Sequence, residues 1–261
     1  MAYNHSRNMQ KITPFLWFDK EARDAAEFYA TIFENSKILT PQKLDNTPSG
    51  SVEIVEIELF GYHITLMSAG PYFKINPSIS FMVYCNTEEE ADTLWKKLSE
   101  NGSILMEYME YPFAKKYGWL NDKFGVSWQV MLSDASEKQK INPVMLFTKE
   151  KAGMTMDAIK LYTSIFPNSK QIMAMHYEEG EGDNPEYIKH AEFELSGGMF
   201  MAMGSSLQHD FTFNEAFSFV IDCKDQEEVD YYWDKLIADG GQESQCGWLK
   251  DKFGVSWQVV P

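Results

Sequence analysis

The segment GWLNDKFGVSWQV at Gly118–Val130 recurs as GWLKDKFGVSWQV at Gly247–Val259, and only one of its thirteen residues differs. The segment KITPFLWF, earlier in the chain, likewise matches the later segment KINPVMLF. Repetition at about half the chain length predicts two copies of one structural unit. We place these copies at residues 9–132 and 140–261, and we interpret the polar stretch SDASEKQ at 133–139 as the linker between them.

Composition limits the classes of partner. The 261 residues carry 23 Lys and Arg against 39 Asp and Glu, a formal net charge of −16, which disfavours nucleic acid and anionic membranes as partners.

Two of the three cysteines, Cys85 and Cys223, end matching apolar runs in different halves, which argues against a disulfide framework. The first residues lack the apolar segment of a signal peptide, and no apolar run reaches membrane-spanning length. We therefore expect a cytoplasmic protein.

Periodicity predicts the same order of elements in both halves. Each half contains a strand, a helix and three strands, followed by the same order again, which gives βαβββ four times and an α+β fold. The stretch VEIVEIELF at Val52–Phe60 alternates as a strand should, with one slip near Val55. Thr87 with Glu90, and Asp225 with Glu228, have the spacing of helix capping boxes. The first helix places its apolar residues on one face: Ala22, Ala25, Ala26, Tyr29, Ile32 and Phe33.

The runs ITPFLWF and EFYATIFENSKI, together with GWLNDKFGVSWQV, resemble the PhnB-like, 3-demethylubiquinone 3-methyltransferase-like branch of the vicinal oxygen chelate superfamily. That superfamily includes glyoxalases, extradiol dioxygenases and bleomycin-resistance proteins. The resemblance covers nearly the whole chain, once per half. It implies paired βαβββ modules around a cavity, in two tandem domains of the glyoxalase/bleomycin-resistance fold. It also implies that the two halves pack together as a pseudo-dimer, with association into a homodimer left open.

Metal-dependent members of the superfamily use four inward ligands, mostly His and Glu, on the first and last strands of the modules. At or near those positions this sequence has neutral residues, including Thr13, Asn142, Gln129 and Gln258. Neutral amides and hydroxyls are poor substitutes for the ligands that transition metals prefer. His63 is the one histidine on a predicted cavity strand of the first half, and Met199 replaces it in the second. We predict no bound metal and no cofactor.

Strand alternation separates residues that face the cavity from residues that face the helices, because successive side chains point to opposite sides. Val126, Trp128 and Val130 form an apolar set for the helix side, so Gln129 belongs to the cavity side. The predicted cavity residues are Thr13, Phe15, Trp17, His63, Thr65, Met67, Ser80, Gln129, Asn142, Val144, Met199, Met201, Ser218 and Gln258. An apolar, methionine-containing lining with a few hydroxyls and amides suits a small, partly hydrophobic ligand.

The repeated motif itself is interpreted mainly as scaffold. Asp122–Gly125 has the composition of a turn between two strands, and Trp119 and Trp128 supply apolar packing. The polar exceptions are Gln129 and Gln258, which are directed to the cavity side.

Three functions are compatible with the sequence, and we predict the first of them. The first is metal-independent binding of a small molecule, as in resistance or sequestration proteins of the superfamily. The second is an enzyme of the same superfamily, of the lyase, isomerase or dioxygenase type, acting with or without a metal. The third is a methyltransferase, although no glycine-rich turn follows a strand to hold S-adenosylmethionine.

Overall fold

The computed structural model describes residues 10–134 and 138–261 as two mixed β-sheets with four α-helices. The predicted linker at 133–139 includes residues 135–137, which lie outside the described residues.

The first half contains two successive units. Its elements are β1 (Ile12–Phe18), α1 (Ala22–Ile32), β2 (Ser36–Ile38), β3 (Gln42–Thr47), β4 (Gly50–Leu59), β5 (Tyr62–Ser68), β6 (Ile79–Cys85), α2 (Glu88–Ser99), β7 (Ser103–Tyr111), β8 (Ala114–Asn121) and β9 (Ser127–Leu132). Strands β2 and β3 pair with successive parts of β4, so together they act as one interrupted strand. The predicted βαβββ order therefore holds in both units.

The second half repeats this order with shorter elements near its end. Its elements are β10 (Ile141–Phe147), a 3₁₀ turn (Lys149–Lys151), α3 (Thr155–Ile165), β11 (Lys170–His176), β12 (Ile188–Leu195), β13 (Gly198–Gly204), β14 (Phe217–Asp222), α4 (Gln226–Ile237), β15 (Gln242–Glu243), β16 (Trp248–Lys250) and β17 (Ser256–Val260).

Helices α2 and α4 begin at the predicted caps. The Glu90 amide donates to Thr87 Oγ1 at 3.1 Å, and the Glu228 amide donates to Asp225 Oδ1 at 2.9 Å. The Glu90 carboxylate in turn accepts from the Asn86 amide, one residue before the cap. These bonds satisfy amides that the first helical turn leaves without partners.

Both sheets contain strands from both halves. The nine-stranded sheet has the order β15-β16-β17-β14-β1-β5-β4-β2, with β3 also on β4, and the eight-stranded sheet has the order β11-β12-β13-β10-β6-β9-β8-β7. The antiparallel pairs β1–β14 and β10–β6 join the halves. The two tandem copies are thus interleaved: the first unit of each half shares a sheet with the second unit of the other, so neither half closes a cavity from its own strands alone.

One face of each sheet packs into a common core with helices α1 to α4. The rings of Phe81 and Phe217, one from each sheet, lie 5.4 Å apart within this core. Trp128 and Trp257 are almost completely buried in it, as alternation along the repeated motif predicts. We call the opposite side of the nine-stranded sheet face A and the opposite side of the eight-stranded sheet face B.

The repeated motif builds a buried hydrogen-bonded centre in the first half. The Asp122 carboxylate accepts from Tyr29 Oη at 2.6 Å, from Trp128 Nε1 at 2.9 Å, and from the amides of Phe124 and Val126 at 2.8 and 3.1 Å. Burial raises the pKa of this carboxyl, and the four donors oppose that rise. The carboxylate thereby joins helix α1, the β8–β9 turn and strand β9.

The second half reproduces this centre. Asp251 accepts from Tyr162 Oη at 2.5 Å, from Trp257 Nε1 at 2.9 Å, and from the amides of Phe253 and Val255 at 2.9 and 3.1 Å. Because this group is buried, losing any one donor would leave polar atoms without partners. The recurrence of the motif is explained by this internal centre, which lies on the helix side of the sheets.

Candidate functional site

Four neighbouring strands place side chains together on face A. Phe15 on β1 lies opposite Ser218 on β14 and next to Thr65 on β5. Strand β17 pairs with β14 in parallel, which brings Gln258 beside Val220 on the same sheet. The strands of the first unit and the fourth unit therefore contribute jointly to one surface.

Face A contains a cavity of about 290 Å³, which we call cavity A. Its lining residues are Phe15, Ile54, Thr65, Met67, Val220, Asp222, Cys246, Trp248, Gln258, Val260 and Pro261. The Trp248 ring lies edge-on to Phe15 at 5.8 Å and to Trp17 at 6.0 Å. Cavity A is thus walled mainly by aromatic, aliphatic and thioether groups.

Gln258 provides the buried amide of this cavity. Its Nε2 donates to Ser218 Oγ at 3.0 Å, and its side chain is 7% exposed. Among residues 10–134 and 138–261, no donor reaches Gln258 Oε1. The neighbouring Ser256 Oγ is also buried without a hydrogen-bond partner in the described chain. A ligand that donates a hydrogen bond would satisfy the amide oxygen.

The predicted residues divide between the two faces. Face A carries Thr13, Phe15, Trp17, His63, Thr65, Met67, Ser218 and Gln258 on strands β1, β5, β14 and β17, and four of them line cavity A: Phe15, Thr65, Met67 and Gln258. Face B carries Ser80, Gln129, Asn142, Val144, Met199 and Met201 on strands β6, β9, β10 and β13. The sequence predicted one set of cavity residues, whereas the fold divides these residues between two separate sheet faces.

The side chains on face A do not form a site for a transition metal. The central strands offer the hydroxyls of Thr65 and Ser218 and the amide of Gln258. His63 lies farther along β5, where its Nε2 is 2.9 Å from Glu58 Oε1. Across the described residues, no group of three or more His, Cys, Asp or Glu is placed to hold a metal ion. Hydroxyl and amide donors without a cluster of His or carboxylate ligands do not form the sites that zinc, nickel or iron prefer.

Face B holds the equivalent glutamine in a different environment. Gln129 Nε2 donates to Ser80 Oγ at 2.9 Å, as Gln258 does to Ser218, but Gln129 Oε1 accepts a hydrogen bond from Tyr117 Oη at 2.5 Å. Asn142 is tied to the backbone, because its Nδ2 donates to the Gln139 carbonyl at 2.8 Å.

The Tyr117 side chain occupies the space in front of Gln129. It is 5% exposed and packs with Met82, Tyr84, Val144 and Met201, on the face where the cavity would lie. Burial raises the pKa of its phenol, so this group stays protonated and donates to Gln129.

The hairpin β7–β8 carries this tyrosine and covers face B. Tyr111 and Phe113 contact the Tyr117 ring at 5.5 and 5.1 Å between ring centroids. Trp119 Nε1 donates to Ser127 Oγ at 2.8 Å, so the serine equivalent to Ser256 is also satisfied here. Face B is therefore closed by side chains of the protein itself.

Face A lacks this covering hairpin because the second copy is shorter. Fifteen residues separate Gly102 from Gly118, whereas six separate Gly240 from Gly247. The chain turns back at Cys246 and Gly247, whose φ angles are +57° and +82°, and the Trp248 amide bonds to the Gln245 carbonyl at 3.1 Å. Two successive residues with positive φ are typical of a type I′ hairpin turn. Cys246 stands where the other copy has Tyr117.

Sequence reasoning missed part of the cavity wall. The sequence predicts a slip in the alternation near Val55, but the β4–β5 ladder is regular from Glu53 to Leu59, and Ile54 and Val52 contact the side chains of face A. The slip near Val55 is therefore wrong. Trp248 was missed because its counterpart Trp119 was interpreted as packing. The signal that could have found it is the shorter spacing before Gly247.

Three other clefts have similar volumes, about 320, 330 and 360 Å³. They lie at the β1–α1 loop, at the junction of the repeats and at the ends of α3 and α4, respectively. The junction cleft includes Met199, whose amide donates to Gln139 Oε1. Cavity A differs from these clefts because it lies on the sheet face to which four strands, from the first and the fourth unit, contribute polar side chains.

Glyoxalase I from Zea mays matches the structure with a TM-score of 0.63 at 11% identity, over 95% of this chain and 90% of that chain. The fold is therefore that of the glyoxalase class, with two tandem copies. The family model described as 3-demethylubiquinone-9 3-methyltransferase matches residues 10–131 and again residues 139–260, so the chain belongs to that family.

The PhnB protein from Bacillus cereus is 40% identical over 48% of this chain and 100% of that chain, with a TM-score of 0.44. Among curated proteins, no relative matches the sequence. No helix in the described part of the chain is long and apolar enough to cross a membrane.

Proposed function

We propose that the protein binds one small, partly apolar molecule per chain in cavity A, without a resident transition metal. The observation that carries this proposal is Gln258, a residue that is 7% exposed and lines a cavity of about 290 Å³, and whose Oε1 accepts no hydrogen bond from the described residues. Pockets for drug-sized ligands span roughly 300–1,000 Å³, so this volume suits a smaller molecule. The apolar wall would bind its body, and the amide would fix its orientation.

The side chains on face A support binding without a metal, because Asp222, Cys246 and His63 belong to no group of three or more metal-binding residues in the described part of the chain. The net charge of −16 supports a small-molecule partner in preference to nucleic acid. An enzyme of the same superfamily is the alternative. The groups that line cavity A include Asp222 as an acid or base and Cys246 as a nucleophile. Neither has a described hydrogen-bonded partner of the kind that activates such groups.

The name of the matching family favours a second candidate, a methyltransferase. That activity requires S-adenosylmethionine, which is larger than a single-ring ligand and carries several charges. Calorimetric titration of the protein with S-adenosylmethionine tests it. If S-adenosylmethionine binds saturably, and this binding is lost when cavity A is filled by substitutions, a methyltransferase would replace the binding of a smaller, partly apolar molecule as the conclusion.

The repeat boundaries at 9–132 and 140–261, a cytoplasmic setting and association into a homodimer are further parts of this proposal. Three free cysteines, two of them buried, support a reducing compartment. Sedimentation of the purified chain tests the state of association.

The experiment for the binding proposal compares the wild type with a filled cavity. Thr65 and Val220 stand where the other copy has Met201 and Met82, so the double variant Thr65→Met/Val220→Met introduces residues that the fold already accepts at equivalent positions. A panel of small aromatic and aliphatic molecules is screened by thermal shift against both proteins. We expect compounds that raise the melting temperature of the wild type and not of the double variant. Equal responses of both proteins, or no response to any compound, would contradict the proposal.

A further inference from the structure

The two copies present the same amide in two states. Gln129 and Gln258 occupy the same place in the repeated motif, and each donates its Nε2 to the equivalent serine, Ser80 or Ser218. In each copy this bond uses one of the two Nε2–H donors and leaves the amide oxygen as an acceptor. On face B that oxygen accepts the phenol of Tyr117 at 2.5 Å. On face A the tyrosine is replaced by Cys246, and both Cys246 and Gln258 line cavity A.

From this pairing we infer that cavity A takes a small phenol, whose ring lies against the apolar wall and whose hydroxyl donates a hydrogen bond to Gln258 Oε1. The side chain of Tyr117 on face B then serves as an internal copy of the bound ligand. This inference rests on the proposed function and specifies its ligand class.

The wall of cavity A suits an aromatic ring. Phe15 and Trp248 offer ring edges and faces, and Met67 offers a polarisable thioether. Aromatic rings gain from edge-to-face contacts with other rings and from contacts with methionine sulfur. Val220 stands where face B has Met82, which packs with Tyr117, so the smaller valine leaves more room beside the ring.

The polar groups of cavity A select the hydroxyl in its neutral form. The amide oxygen can only accept, so a ligand with an ether or a carbonyl in that place cannot reproduce the bond that Tyr117 makes to Gln129 Oε1. Asp222 also lines the cavity, and the chain carries a net charge of −16, so an anionic ligand such as a phenolate or a carboxylate is disfavoured. The favoured ligand is an uncharged donor.

The test uses 4-methylphenol as the probe, because it has the size and shape of the tyrosine side chain. Toluene, which lacks the hydroxyl, and 4-methylanisole, which lacks the donor hydrogen, are the comparison ligands. Binding to the full chain is measured by calorimetry. We expect 4-methylphenol to bind the wild type about tenfold more tightly than toluene, and 4-methylanisole to resemble toluene.

Matched variants test whether Gln258 causes the preference for 4-methylphenol over toluene. Gln258→Leu should bring 4-methylphenol and toluene within about twofold of each other, because the acceptor is lost while the apolar wall remains. Gln129→Leu, the same change on face B, should leave the preference of the wild type unchanged. Thr65→Met/Val220→Met should abolish binding of both molecules.

The outcomes separate this inference from the proposed function. Equal binding of 4-methylphenol and toluene, abolished in the filled variant, would overturn the phenol inference and leave small-molecule binding in cavity A intact. A preference for 4-methylphenol that survives Gln258→Leu would also overturn it. If neither probe nor any compound of the panel binds, the proposed function fails as well.

Tyr117→Ala provides an independent test on face B. Removing the phenol should open a site in front of Gln129 that 4-methylphenol can fill, because an apolar cavity of this kind can bind a small aromatic molecule. Calorimetry should then show two bound molecules per chain in place of one, and Tyr117→Ala/Gln129→Leu should lose the phenol preference of the second site. A second site that prefers toluene would contradict the role assigned to the glutamine. Should Tyr117→Ala fail to fold, the Gln258 variants still decide the inference.

Discussion

Face A and face B share an equivalent glutamine and serine but differ in what covers them. Each presents a glutamine bonded to a serine, yet face B is closed by the hairpin β7–β8 and face A is left with a cavity. The difference lies in the segment before the repeated motif, which has fifteen residues in one copy and six in the other. The shorter hairpin and the smaller Thr65 and Val220 therefore distinguish the candidate binding site on face A from the packed face B.

The helix side of the sheets shows no such difference. Asp122 and Asp251 accept the same four hydrogen bonds, from a helix tyrosine, a strand tryptophan and two turn amides. The duplicated copies thus share their internal scaffold and differ on their outer faces. Variants made in matched pairs, one in each copy, can test this division directly.

The largest effect is expected at the two buried tryptophans. Trp128→Ala and Trp257→Ala should each lower the free energy of unfolding by about 3–5 kcal/mol, because a large apolar side chain and its bond to the aspartate are both lost. Chemical denaturation measures both variants. Costs that differ by more than about 2 kcal/mol would show that the two scaffolds are not equivalent.

A large but unequal effect is expected at the position that distinguishes the copies. Tyr117→Ala should cost about 3 kcal/mol, because it removes a buried ring and leaves a cavity on face B. Cys246→Ala should cost less than about 0.5 kcal/mol, because Cys246 is exposed at the edge of cavity A. Equal costs in denaturation would mean that the tyrosine does not fill face B as the structure indicates.

Much of this arrangement was predictable from the sequence. Alternation along VSWQV correctly placed Trp128 under the helices, and the spacing of Thr87 and Glu90 correctly located a helix start. The family resemblance correctly predicted the fold. The repeated motif that carries this resemblance also builds the buried aspartate centre.

The pairing of the units was not predictable from the sequence. Strand β1 pairs with β14 of the other half, but β6 of its own half offers almost the same residues, with Ser80 and Phe81 in place of Ser218 and Phe219. Two nearly identical strands satisfy the same pattern of apolar and polar faces, so local patterning cannot choose between them. The difference between the faces also depends on where the Trp248 ring points on face A and the Tyr117 ring on face B, which alternation alone does not determine.

A smaller effect is expected at the two glutamines. Gln129→Leu should cost about 1–3 kcal/mol, because the buried Tyr117 hydroxyl loses its acceptor. Gln258→Leu should cost less than about 1 kcal/mol, because only the bond to Ser218 is lost and the amide oxygen has no described donor. Denaturation of the pair measures the contrast. A costlier Gln258→Leu would mean that face A is held together by the amide in the absence of ligand.

The smallest effect on stability is expected from alkylation of Cys246. Burial raises the pKa of Cys85 to about 12 and that of Cys223 to about 11, so at about pH 8 both remain protonated thiols that react slowly, as well as being inaccessible. Cys246 is exposed, so iodoacetamide should label one thiol per folded chain and three after unfolding.

Mass spectrometry counts these labels, and denaturation of the labelled protein should show a change below about 0.5 kcal/mol. Because Cys246 lines cavity A, saturation with 4-methylphenol should slow its labelling in the wild type but not in Thr65→Met/Val220→Met, where the probe is excluded. Labelling of Cys85 or Cys223 at a similar rate would contradict their burial in the shared core. Equal slowing of Cys246 in both proteins would mean that the phenol acts outside cavity A, and face A would then be no more a binding site than face B.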